Sequence, residues 1–283
     1  MWWVKPTGSV SIVTRGVLRT WVNPPRPATT ETITEPARRR AVVFELVVVF
    51  TITLGLSGLR SLVSLLDALL RPEPLGDQSV ALHSPQAELG PLDLLAQLLG
   101  VLQLLAWGAL ALYLLYSAGK RLASIGLDRS KPGRDLLGGV GLTALIGIPG
   151  LVLYLVSYQL GFSLAVQPST LADVWWRPVT LTLSAFGNAF AEEVLVVGYL
   201  LTRLRQLGMR ENSSLLLAAV LRGSYHLYQG FGGFVGNMVM GLVFGRVWQR
   251  NNRLVPLLVA HTLLDVVAFV GYALLGDALD WLP

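Results

Sequence analysis

The chain has 283 residues, of which 53% are hydrophobic and 14% charged, with a mean hydropathy of +0.58 and a net charge of +5. Soluble domains carry about 25% charged residues, so this composition excludes an ordinary water-soluble globule. Zero cysteine excludes disulfides, a thiol nucleophile and thiolate metal sites, and the basic surplus reads as loops retained in the cytoplasm, with no nucleic-acid partner.

Residues 1–40 read as a flexible basic tail, rich in Pro and Thr around Asn23-Pro24-Pro25-Arg26-Pro27 and ending in Arg38-Arg39-Arg40. The first apolar run begins at Ala41, too far along for a cleaved secretory signal, so 41–283 is expected to be a retained membrane domain. Uncharged stretches such as 94–116 and 136–162 exceed the ~20 apolar residues that cross a bilayer as a helix. Seven spans are expected, near 41–66, 92–117, 136–160, 178–201, 213–229, 231–247 and 254–275. The fifth and sixth are short and joined by Gly230-Phe231-Gly232-Gly233, a pattern open to a partly re-entrant segment. The predicted fold is therefore all-α, a polytopic bundle of about seven or eight transmembrane helices.

Lys and Arg number eighteen in the tail and the second, fourth and sixth loops, against three (Arg60, Arg71, Arg177) in the intervening segments. That bias predicts a cytoplasmic N-terminus and an extracytoplasmic C-terminus. Trp175-Trp176 reads as an interfacial belt, Glu45 as an interfacial partner of the Arg38–40 cluster, and His83 as solvated surface.

Ionisable groups at membrane depth are costly and are commonly functional. The last four spans hold a concentrated set: Glu192 and Glu193, Arg222 and His226, His261 and Asp265, with Asn188 one turn before Glu192. Arg222/His226 and His261/Asp265 are each spaced i,i+4, which places each pair on one helix face and lets Asp265 orient the His261 imidazole. Glu192 and Glu193, being adjacent, point about 100° apart and are not expected to reach one atom. At ~1.5 Å per residue, Glu192, His226 and His261 lie at similar depth. A glutamate in such surroundings serves as a general base, one histidine shares its proton and another stabilises an oxyanion. A proton-relay transporter uses the same residue types, and a packed hydrogen-bonded core would also hold them. The set Glu192, His226, His261 is chemically able to bind zinc, although no His-Glu-x-x-His helix is present.

Read as motifs, Glu192-Glu193-Val194-Leu195-Val196-Val197, Arg222-Gly223-Ser224-Tyr225-His226 and His261-Thr262-Leu263-Leu264-Asp265 resemble those of the CAAX-protease and bacteriocin-processing (CPBP, Abi-type) family of intramembrane proteases. The resemblance covers a core near 178–275. It implies a hydrolase cleaving a membrane-tethered peptide in a bilayer, such as a bacterial plasma membrane. Glu192 would be the base, His226 its partner on water, and His261 with Asp265 the oxyanion site. Glu193 would be supportive, and no cofactor is required, with zinc as the alternative. A non-proteolytic adaptor or immunity protein keeping the site as a binding pocket is the other class. Two positions depart from the pattern: its first-motif arginine is Val197 here, and its second-motif phenylalanine is Arg222. A relocated charge follows, with Arg222 expected within ~4 Å of Glu193.

Overall fold

The computed structural model describes residues 20–26 and 31–275; the remainder of the expected tail, and the terminal Asp277, Asp280 and Pro283, lie outside them. The chain forms helices α1 (Pro36–Ile52), α2 (Leu54–Leu70), α3 (Gly90–Ser117), α4 (Pro132–Gln159), α5 (Arg177–Gln206), α6 (Glu211–Ser224), α7 (Phe231–Asn251) and α8 (Val255–Leu274). Its small sheet is a parallel pair, β1 (Ser79–Ala81) and β2 (Ala165–Gln167), with Ser79 opposite Ala165. Five of these helices are long and apolar enough to span a membrane. Large apolar side chains on their outer faces, such as Leu137 and Ile148, are 75% and 69% exposed. Such a surface suits lipid and would be an aggregation liability in water.

The span pattern differs from expectation in two places. The first expected span is two helices, α1 and α2, bent by 48° at Thr53. The backbone there leaves the helical region, and the Thr53 hydroxyl donates to the Val49 carbonyl at 2.7 Å. The fifth expected span is α6, whose 14 residues reach only about 21 Å. Beyond Ser224 the α-helix gives way to a turn at Tyr225 and His226 and a single 3-10 turn at Leu227–Gln229, before the chain enters α7. Non-helical backbone at membrane depth is tolerated only inside protein or against a polar cavity, which already marks this segment. Gly230 makes the turn possible: at φ +97° an added Cβ would stand 2.7 Å from the Phe162 carbonyl. Its neighbour Phe231 donates its N–H to that carbonyl at 2.8 Å.

α5 is the central helix. Every residue from Glu193 to Leu200 is buried, and this stretch is wound as π-helix. Around it Ala111, Leu115, Phe244, Trp248, Leu254 and Leu257 form the main apolar core. The basic segments converge on one end of the bundle. Ile33 N–H donates to the Gln206 carbonyl at 2.8 Å, Trp248 Nε1 to Ile125 O at 3.0 Å, and Leu254 N to Gly126 O at 3.1 Å. The sheet lies at the opposite end. Trp175 is exposed there while Trp176 is buried. His83, expected as solvated surface, is half-buried, with its ring edge-on to Phe269 at 4.5 Å and Nδ1 3.2 Å from the Pro168 carbonyl. Burial lowers its pKa below the ordinary value, partly offset by that carbonyl.

Glu45 also finds another partner than expected. It accepts from Arg203 Nη2 at 2.7 Å and from the Tyr199 hydroxyl at 2.7 Å, tying α1 to α5 instead of to the Arg38–40 cluster.

At the basic end Arg253 clasps two loops together. Its Nη1 is 2.8 Å from Asp128 Oδ1 and its Nη2 pairs with Asp135. Hydrogen bonds from Ser130 and from the Arg253 guanidinium hold the Asp128 carboxyl well below the usual carboxylate range. A folded pKa below the unfolded value of about 3.9 means this contribution is present above that value and disappears as pH falls through the folded one. Arg253→Gln at pH 7 is therefore expected to raise amide hydrogen exchange across 126–130. Unchanged exchange there would show the clasp to be idle.

Candidate active site

Three helices and the irregular segment bring the predicted residues to one place. α5 supplies Glu192 at the end of its α-helical part and Glu193 at the first π-helical residue. α6 supplies Arg222, the following loop His226, and α8 His261 and Asp265, the latter just before a second π-helical stretch at Val267–Gly271. π-bulges inside α-helices frequently occur at functional sites, and here both begin beside site residues.

The guanidinium of Arg222 is the hub. Its Nη2 lies 2.6 Å from Glu193 Oε1, 3.2 Å from Glu192 Oε2 and 2.9 Å from His261 Nδ1. The relocated charge is thus found where expected, inside 4 Å of Glu193. Contrary to expectation, one atom touches both adjacent carboxylates. The reason is Arg222 itself, whose long side chain enters between them where α5 passes from α- to π-helical winding. Gly241 on α7 makes room: an added Cβ would stand 3.2 Å from Arg222 Cδ and 3.1 Å from Ala219 Cα. The Phe244 ring lies 5.6 Å from the guanidinium and covers it as a cation–π partner.

His261 is fixed differently from the i,i+4 expectation. Its Nδ1 is 2.8 Å from Glu193 Oε1, whereas Nε2 stands 3.7 Å from Asp265 Oδ1, beyond a hydrogen bond. Oε1 already accepts from Arg222, and a carboxylate oxygen accommodates two donors. A protonated Nδ1 donates to Glu193 Oε1, and Arg222 Nη2 is then a neighbouring cation held by the same oxygen, not a hydrogen-bond partner of the ring. Glu193 therefore orients the ring, and Asp265 only faces its other nitrogen. Asn188 lies beside the Asp265 carboxyl.

His226 does not share a helix face with Arg222, because α6 ends at Ser224. Its Nε2 faces Glu192 Oε2 at 3.9 Å with no hydrogen-bond partner among the described residues. Gln229 Nε2 is 3.4 Å from the other ring nitrogen, Nδ1, and as a donor it leaves the ring proton on Nε2, toward Glu192.

Side-chain exposure divides the cluster. Glu193 and Arg222 are 0% exposed and His261 5%, against 10% for Glu192, 16% for His226 and 19% for Asp265. The first three are sealed, while the second three keep some side-chain exposure, so Glu192 is the less enclosed of the two glutamates.

One residue escaped the sequence reading. The Tyr225 hydroxyl donates to Glu192 Oε2 at 2.8 Å. Its only signal was its place directly before His226.

The Arg222 cation sits 3.2 Å from Glu192 Oε2 and 2.9 Å from His261 Nδ1, which disfavours a metal ion at those two atoms of the set Glu192, His226, His261. Among the described residues no cluster of three or more His, Asp or Glu is arranged to hold one.

Residues 174–267 match the family model of the Rce1-like proteins, type II CAAX prenyl endopeptidases. The match spans α5 through the Asp265 turn of α8, so the family resemblance falls on the segment that builds the site, and that family is one of proteases. α1 to α4 lie outside it. No curated protein and no solved structure matches the chain.

Proposed function

We propose that this integral membrane protein, similar over 174–267 to type II CAAX prenyl endopeptidases, is an intramembrane endopeptidase acting on membrane-associated peptides through a glutamate-activated water. The observation that carries the reading is the 3.9 Å separation of Glu192 Oε2 from His226 Nε2 beside a charge cluster in which Glu193, Arg222 and His261 are sealed. Polar groups at that separation are commonly bridged by water. Glu192 accepts the proton of that water as general base through the carboxylate that faces His226. His226 holds the same water and shares the proton on its way to the leaving amine. His261, its ring oriented by Glu193 at Nδ1, is the group assigned to the carbonyl oxygen as it becomes anionic. Arg222 balances the paired glutamates, and the reaction is routed through no metal.

The test is cleavage of a membrane-peptide library by purified protein, with Glu192→Gln as control. Peptide that binds yet is never cut would favour the adaptor reading instead.

In the proposed orientation the Arg253 end is cytoplasmic and the sheet end extracytoplasmic. In this cysteine-free chain, a single cysteine at Ser79 or Asp173 should react with an impermeant reagent on intact cells. A cysteine at Arg129 should react only after lysis. The reverse pattern would invert the topology.

A further inference from the structure

We propose that Tyr225 is a positioning residue for Glu192, and that α2, a helix outside the family match, is the seat that sets it; this rests on the endopeptidase reading. Glu192 Oε2 has three polar neighbours: the Tyr225 hydroxyl at 2.8 Å, Arg222 Nη2 at 3.2 Å and His226 Nε2 at 3.9 Å. The tyrosine contact is the shortest. Arg222 Nη2 is moreover committed at 2.6 Å to Glu193, so Tyr225 is the principal restraint on the Glu192 rotamer.

Tyr225 is in turn held from outside the matched segment. It is the first residue after α6, and helix-terminal carbonyls lack partners within the helix. The Tyr225 carbonyl receives one from the Ser61 hydroxyl of α2, at 2.9 Å in a buried contact. One turn earlier on the same face is Gly58, where an added Cβ would come within 2.6 Å of Ser224 Oγ and 3.7 Å of Tyr225 N. Small residues of this kind let helix backbones approach closely in membranes. Leu54, Gly58, Ser61, Leu65 and Ala68 make one buried stripe, while Leu59, Leu62 and Val63 on the other face are exposed. The 48° bend at Thr53 separates α2 from the direction of α1, and it is α2 that lies against the site.

Two measurements test this. Tyr225→Phe keeps the ring and removes only the hydroxyl. It should lower kcat by roughly 10–100-fold, the usual cost of losing an orienting partner, with KM and thermal unfolding in detergent unchanged. Wild-type kcat would overturn the positioning role, and a loss of Tm equal to that of Tyr225→Ala would reduce it to packing. The seat is tested without any activity. The ideal Cβ at Gly58 is 3.5 Å from Ser224 Cβ, inside the ~3.5–4.5 Å span of disulfides. Gly58→Cys/Ser224→Cys should therefore cross-link on mild oxidation of the native protein and fail to do so after denaturation. Absence of the native cross-link would remove α2 from the site. If wild type and Glu192→Gln both cleave nothing, the endopeptidase reading fails and the role of Tyr225 falls with it, whatever the cross-link shows.

Discussion

Glu192→Gln is expected to abolish peptide cleavage, by roughly 10²–10⁴-fold for loss of a general base, without loss of membrane insertion. The isosteric amide still accepts the Tyr225 hydroxyl that reaches Glu192 Oε2 at 2.8 Å, so the carboxylate's shape is retained and its basicity removed. Glu192 is separated from the other acid of the motif by access. Its side chain is 10% exposed, while Glu193 is fully enclosed between Arg222 and His261. Glu193→Gln should lower activity through a different route, by weakening the bond that orients His261, and should be accompanied by loss of stability. His226→Ala and His261→Ala are expected to abolish cleavage as well, and Asp265→Ala to be milder, since Asp265 stands 3.7 Å from His261 and does not fix its ring. Full activity in Glu192→Gln, measured on purified protein with matched expression, would refute the assigned chemistry.

Sequence reasoning reached the site because ionisable residues are rare at membrane depth, and few other contexts explain Glu192, Arg222, His226, His261 and Asp265 on three of the last four apolar segments. The counter-charge for Glu193 was legible for the same reason: a buried carboxylate needs a partner, and Arg222 was the one basic residue within a span in that region. The i,i+4 spacing does put His261 and Asp265 face to face on α8, but regular α-helix fails at two other places. Spacing placed His226 one turn beyond Arg222, but α6 stops at Ser224 and leaves the imidazole on irregular backbone. It likewise made Glu192 and Glu193 diverge, whereas α5 becomes π-helical at Glu193, a change that hydropathy and residue spacing do not encode. The split of the first span at Thr53 was hidden because both halves are equally apolar. Tyr225 was passed over because an aromatic at membrane depth reads as packing until its hydroxyl is seen to have a partner.

The second large effect concerns the sealed pair. Arg222→Leu is expected to destabilise the bundle by about 3–5 kcal/mol, the cost of breaking a buried ion pair by removing one member. Glu193 Oε1 would keep only His261 Nδ1, at 2.8 Å, and would lose the 2.6 Å guanidinium contact, while Glu192 would lose its 3.2 Å contact to the same atom. Chemical unfolding in detergent reads this directly, and activity should fall with it because His261 and Glu192 share the arginine. Adding Val197→Arg to that variant returns a cation one turn beyond Glu193, where the resembling family carries its arginine. Recovery should be partial. Val197 is 2% exposed within the π-helical stretch, and overfilling a packed position costs about 1–3 kcal/mol of its own. The charge term exceeds that packing term, so the double variant should lie above Arg222→Leu and below wild type in stability. A double variant no better than Arg222→Leu would show that Arg222 acts through its shape and its hold on Glu192 and His261, and not as a displaced counter-charge to Glu193.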